Sequence, residues 1–284
     1  MKRILTIMAA AFALAFLPAI AFAQGMGGQS PDNQTMGFGR DTKAMDSTPE
    51  FRASKVLGTA VQNYQEEYLG VIRDVMIDPQ NGGTALAILS RGGVLGIPMK
   101  FVAVPFSAFA FNPEKEIFFL DMSREQMASA PGFDRGQWPQ VADRSWETDV
   151  YRYYGQTPAW GESNETTAEG QGSTYRFTAM RGTSVRNPQG EKLAEIRDLV
   201  IDSGGDVPFA VLAHGGFLGI EAKLVAVPLG DLSFNAASHS FVLNASKEQL
   251  DAGPAFQESK LTDSEWAERI YRSYYGTYGM YPLE

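Results

Sequence analysis

From residue 51 onward, short apolar runs of about five residues, broken by Gly, Pro, Asn or Asp, organise the chain. Positions 56–61 lead into the polar stretch 63–67 and then into 69–78, whose β-branched content and turn-type boundaries predict a hairpin. Pro79-Gln80-Asn81-Gly82-Gly83 predicts a turn, 84–90 a strand, and Gly92-Gly93 another turn. A short strand over 100–104 is closed by Pro105, which cannot donate to a central ladder, and 117–120 adds one more. Several short strands with turn signals between them predict a small β-barrel. Then the period changes. Ser123-Arg124-Glu125-Gln126 is a capping-box pattern that opens a short helix ending before Pro131-Gly132. Over 144–154, Trp146, Val150 and Tyr154 fall at i, i+4 and i+8 on one helical face, and Gly155 ends that helix.

The whole pattern occurs twice. Gly182, Val185, Asn187, Leu193, Ile196, Arg197, Asp198 and Ile201 each lie 124 positions after Gly58, Val61, Asn63, Leu69, Ile72, Arg73, Asp74 and Ile77. From Ala210 to Pro228 the offset is 123, which places a one-residue deletion in the turn over 203–206. Gly92-Gly93, Lys100 and Val102-Ala103-Val104-Pro105 return as Gly215-Gly216, Lys223 and Val225-Ala226-Val227-Pro228. Ser246-Lys247-Glu248-Gln249 repeats the capping box, and Trp266, Ile270 and Tyr274 repeat the helical stripe. Self-similarity of this kind is the mark of a duplicated structural unit. The expected organisation is a leader over 1–23, a disordered lead over 24–50, a first barrel with its helical arm over 51–155, and a Gly/Glu/Ser/Thr-rich linker over 156–174. A second barrel and arm over 175–276 and a tail over 277–284 complete it.

The leader reads as an export signal. Lys2 and Arg3 precede an apolar run over 4–22, and Ala21-Phe22-Ala23 predicts cleavage before Gln24 and a periplasmic destination, with no stable membrane insertion afterwards. Removing those two cations takes the formal charge from -9 to -11. So acidic a chain repels phosphate backbones, and nucleic-acid binding is not expected. The absence of cysteine excludes a disulfide framework, thiol redox chemistry and thiolate metal sites.

With its spaced glycines and apolar positions over 53–122 and 176–245, the chain resembles the PRC-barrel domain family, named after the photosynthetic reaction-centre H subunit and also found in a ribosome-maturation factor. The resemblance rests on Gly58 and Val61, the run 69–78, Gly92-Gly93 and 100–105, with their copies. It implies a mainly β fold with short helices: two small barrels in tandem, each of about six strands, used as interaction modules. The family shares no catalytic motif to carry over, and fold alone does not establish function.

Candidate chemistry is sparse. Asp74, Asp78, Asp198 and Asp202 are spaced i, i+4 on strands, and each pair presents carboxylates to one face, as a hard cation such as Ca²⁺ requires; the alternative is that they close turns. His214 and His239 are not duplicated and sit in no recognisable nucleophile arrangement, so neither catalysis nor a cofactor is expected. Lys100 and Lys223 read as strand-start residues shielding an edge. The glycine pairs lack the spacing of a phosphate loop. Trp146, Tyr151, Arg152 and Tyr154, with Trp266, Tyr271, Arg272 and Tyr274, either pack each arm onto its own barrel or form an interface, since Trp, Tyr and Arg concentrate binding energy. The functional expectation is a non-catalytic interaction or scaffolding module that binds a protein partner or self-associates. The alternative is a small-ligand or metal-ion sensing module using the duplicated Asp-bearing strands.

Overall fold

The computed structural model describes residues 50–77, 85–92, 99–134, 136–139, 144–158, 175–216, 222–261 and 263–275. The expected leader over 1–23, the lead up to residue 49, Asp78, the turn expected over 79–83, Gly93, most of the linker and the tail lie outside the described residues.

The first repeat runs β1 (Glu50–Arg52), α1 (Ala53–Val56), β2 (Ala60–Gln62), β3 (Tyr68–Ile77), β4 (Ala85–Arg91), β5 (Lys100–Pro105), β6 (Phe109–Asn112), β7 (Ile117–Leu120), α2 (Arg124–Ser129), β8 (Gly132–Asp134) and α3 (Arg144–Tyr153). The second follows with β9 (Tyr175–Arg176), α4 (Phe177–Met180), β10 (Ser184–Arg186), β11 (Lys192–Asp202), β12 (Phe209–His214), β13 (Lys223–Pro228), β14 (Leu232–Asn235), β15 (Ser240–Leu243), α5 (Lys247–Ala252) and α6 (Ser264–Tyr275). Hydrogen-bonded order is β6-β7-β2-β3-β4-β5-β8 in one sheet and β13-β12-β11-β10-β15-β14 in the other. β2 with β7 and β10 with β15 are parallel; the remaining pairs are antiparallel. The fold is mainly β with short helices, two PRC-type barrels in tandem, although neither path of strands closes on itself.

Local signals are met where they were expected. Ser123 and Gln126 form a complete capping box at α2, and Ser246 with Gln249 repeats it at α5, so two orphan donors of each short helix are satisfied. The run 56–61, by contrast, is not one strand: α1 ends at Val56 and Gly58 turns the chain at φ +88° before β2, as Gly182 does at φ +84° in the copy, a region that L side chains rarely occupy. Their N–H groups donate to Ile72 O and Ile196 O, each at 2.8 Å, which sets both copies of the turn against their long strands.

One feature crosses the boundaries drawn from the linear sequence. β1 pairs not with its own barrel but with β11, in the register Glu50↔Asp202, Phe51↔Ile201 and Arg52↔Val200. β9 in turn pairs with β3, Met76↔Arg176 and Ile77↔Tyr175. The cause lies in strand length. β2 covers only the first half of β3, and β10 only the first half of β11, so the far end of each long strand offers an unpaired edge. The leading strand of the other repeat fills it. The side chains go the other way: Phe51 packs against Phe106, Phe111 and Phe118 of its own barrel, and Tyr175 against Phe234 and Phe241 of its own. Each leading strand thus bonds one sheet and plugs the opposite core. Buried side chains of both barrels form one contiguous apolar cluster. No helix among the described residues is long and apolar enough to cross a membrane.

Candidate functional site

At the seam between the barrels stand the duplicated aspartates. Both strands carry a bulge, between Ile72 and Asp74 and between Ile196 and Asp198, which re-aims the side chain that follows. Asp198 is 0% exposed. Its Oδ1 accepts from Ser54 N at 3.0 Å and Leu199 N at 3.0 Å; its Oδ2 accepts from the Ser54 hydroxyl and from Arg52 Nε at 2.8 Å. Asp74, 3% exposed, repeats the pattern: Oδ1 accepts from Thr178 N at 3.1 Å and Val75 N at 2.9 Å, and Oδ2 from the Thr178 hydroxyl. Arg52 and Arg176, at the N-caps of α1 and α4, supply no cap from their own side chains, so an Asp of the opposite barrel satisfies an orphan N–H in the first turn. A buried carboxylate is tolerable only with such a donor set.

The two sides then diverge. Arg52 also pairs with Glu258 at 2.8 Å, whereas Arg176 lies over the Trp138 ring at 4.5 Å.

Of the Asp pairs read as candidate cation ligands, Asp198 and Asp202 are not brought together, and Asp78, the second member of the other pair, lies outside the described residues. Asp198 is held by α1 and Arg52, while Asp202 Oδ1 accepts from Asp206 N at 2.9 Å and closes the turn. Among the described residues, no group of three or more His, Asp or Glu converges as a metal site would require. Beside Asp202, across the β1–β11 ladder, sits Glu50. Burial, with Asp202 as a second cause, pushes its carboxyl up to about 7, and its Oε2 has no hydrogen-bond partner.

The aromatic arms pack onto their own barrels. α3 sets Val150 and Tyr151, with Trp146 and Tyr154 partly buried, over Met76, Ile88, Phe101, Ala103 and Phe133. α6 sets Trp266, Ala267 and Ile270, with Tyr271 and Tyr274, over Phe209, Val211, Ala226 and Phe256. The reason is visible in the strands. β4 and β12 are apolar at consecutive positions instead of alternating, so both faces need cover. Burial pushes the phenols of Tyr151, Tyr154 and Tyr274 above the ordinary tyrosine range. Arg152 and Arg272 remain on the outer side of the arms, against Asp149 at 2.6 Å and Glu268 at 3.4 Å.

His214 is buried, with Nδ1 2.6 Å from Leu193 O and Nε2 3.1 Å from Asp251 Oδ1, so it touches no nucleophile. Lys223 does not shield an edge. It donates to Leu250 O, Asp251 O and Gly253 O, tying down the end of α5. Lys100 pairs with Asp134 at 2.7 Å.

The two most exposed aromatics among the described residues, both on the first barrel, are not among the candidates read from the sequence; Tyr153 and Phe234 are exposed to a lesser degree. Tyr64 is 58% exposed and Tyr68 51%. Tyr64 stacks on Phe119, centroids 5.5 Å apart, and Tyr68, Gln62 and Phe119 lie in one cross-strand row on β3, β2 and β7. The second repeat has Pro188, Lys192 and Val242 at the positions of Tyr64, Tyr68 and Phe119. That difference between otherwise parallel copies was the available signal.

The family model described as the PRC-barrel domain matches residues 49–127 and 173–250. No curated protein matches the chain. Among solved structures, a protein described as a 16S ribosomal RNA processing protein, RimM, of Pseudomonas aeruginosa aligns over 68% of this chain and 98% of its own, at 12% identity and a TM-score of 0.20. With both repeats matched, over more than half its length, the chain belongs to the PRC-barrel domain family.

Proposed function

We propose that the chain is a non-catalytic interaction module of the periplasm, a rigid scaffold of two barrels that presents the first barrel's aromatic row to a protein partner. The observation that carries the reading is the exposure of Tyr64 and Tyr68, with Phe119 beneath Tyr64, on one copy only. Exposed tyrosines offer large rigid contact area at low entropic cost and are enriched where binding energy concentrates. The duplicated polar groups support the reading from the other side, because Asp74 and Asp198 are used in joining the barrels.

The test is a comparison of the mature chain from Gln24 with its Tyr64→Ser/Tyr68→Ser variant. The unmodified chain is expected to retain a defined protein from a periplasmic extract, or to run as a dimer by light scattering, and the variant to lose that association with its melting temperature little changed. A monodisperse monomer that captures nothing refutes the reading. Recovery of the full chain from the cytoplasmic fraction, with the leader uncleaved, refutes the location.

A further inference from the structure

The second barrel carries a surface cavity of about 540 Å³, within the range of small-molecule sites, lined among others by Arg181, Glu195, Arg197, Ala213, Ala222 and Leu224. We propose that this cavity is a binding site for a small organic anion, a carboxylate or a phosphate monoester with a short apolar body.

The duplicated barrels differ at the positions that line this cavity. Glu195, Ala213 and Leu224 form a cross-strand row on β11, β12 and β13; Val71, Ser90 and Phe101 form the same row in the first barrel. At matching positions the first copy has Leu57 for Arg181, Ser90 for Ala213, Met99 for Ala222 and Phe101 for Leu224. Three of these differences remove side-chain volume from the second barrel and the fourth adds a cation to the space; a fifth, Glu195 in place of Val71, adds a carboxylate. The Ser90 difference also acts through its neighbour. Arg73, on the bulge of the first barrel, donates from Nε to the Ser90 hydroxyl at 2.9 Å. Its copy Arg197 has Ala213 opposite, with no hydroxyl to bind. Among the described residues neither the Arg181 nor the Arg197 side chain has an ion-pair or hydrogen-bond partner, although the chain as a whole is acidic.

Two guanidinium groups at one concavity match a carboxylate or phosphate, which they bind with charge-assisted and often bidentate bonds. Ala222 and Leu224 give the apolar body a wall. Glu195 is held by Lys192 at 2.6 Å, and its charge disfavours a second anionic group on that side of the ligand. The inference does not rest on the partner reading, since no residue of the aromatic row lines the cavity.

Isothermal titration of the full mature chain with hexanoate and with inorganic phosphate separates the two sources of the anionic group. Binding of either with a dissociation constant near or below about 1 mM supports the site, and the tighter of the two names the source. The Arg181→Leu/Ala222→Met variant restores identities that the first barrel already carries, and is expected to weaken binding at least about tenfold, the loss of a charge-assisted hydrogen bond. Ala213→Ser, which returns to Arg197 the partner that Arg73 has, is expected to weaken it by a smaller factor while leaving the melting temperature in place. No heat from either probe up to about 10 mM overturns the proposal, as does unchanged affinity in both variants.

Discussion

Glu50 is a carboxyl placed where its charge is unwelcome. It lies opposite Asp202 in the β1–β11 ladder, and burial raises it from its ordinary 4.5 to about 7. The folded state therefore holds a proton that the unfolded chain has released, and the stability it contributes is present below pH 4.5 and lost as pH rises through 7. Asp202 is raised in the same direction, chiefly by burial. Glu50→Gln is expected to stabilise the fold at pH 8 by on the order of 1 to 2 kcal/mol after allowance for solvent screening, seen as a higher melting temperature, and to change little at pH 4. Thermal melts of both proteins across that range check the sign; a larger gain at acid pH contradicts it. The seam aspartates give a graded prediction. Asp198→Ala leaves the Arg52 guanidinium and the Ser54 donors without their buried acceptor and is expected to cost about 3 to 5 kcal/mol. Asp74→Ala strands only the Thr178 and Val75 donors and should cost about 1 to 3 kcal/mol. Denaturation in urea with and without calcium measures both, and a calcium-dependent difference returns these residues to cation binding.

At the scale of elements, what was legible and what was not divide cleanly by the range of the interaction. The capping boxes at Ser123 and Ser246 and the Trp-bearing arms are local patterns, and each stands where its spacing placed it, whereas the turn at Gly58 falls inside a run that reads as a strand. The exchange of β1 and β9 was not legible. Phe51-Arg52 and Tyr175-Arg176 are near-equivalent in the two copies, so either strand fits either sheet, and the choice is made by tertiary packing. Asp74 and Asp198 were singled out by their repetition, but repetition does not show that the partner of each lies in the other repeat. The arms were ambiguous until the unbroken apolar runs of β4 and β12 were seen to need a second cover. Residues 50–158 expressed alone lack β9 and the α4 partner of Asp74; residues 175–275 alone lack β1 and the α1 partner of Asp198. Each half is expected to melt far below the full chain or to remain unfolded, and the mixed halves to form a one-to-one complex by size-exclusion chromatography with light scattering. Two halves that fold fully alone and ignore each other contradict the exchange.

For the whole molecule, the crossed strands mean that neither barrel has a boundary at which unfolding can stop. The apolar cluster is continuous across both barrels, and β1 is the tightest link, with its backbone in one sheet and Phe51 among Phe106, Phe111 and Phe118 of the other barrel. Sites that share a packed neighbourhood do not behave independently, and a shared core favours a single cooperative transition. Phe51→Ala removes a large aromatic contact from the first barrel and loosens the strand that completes the second, and is expected to cost about 2 to 4 kcal/mol. The decisive reading is where that loss appears. Trp266 reports on the second barrel and Trp146 on the first, so a pair of proteins, each keeping only one of these tryptophans, follows the two barrels separately by fluorescence. In a rigid two-barrel body, Phe51→Ala lowers the urea midpoint seen by Trp266 as much as that seen by Trp146, and the two curves superimpose before and after the substitution. A midpoint that falls at Trp146 and stays fixed at Trp266 shows the barrels to be independent domains, and removes the rigid frame on which the aromatic row and the anion cavity are held in fixed relation.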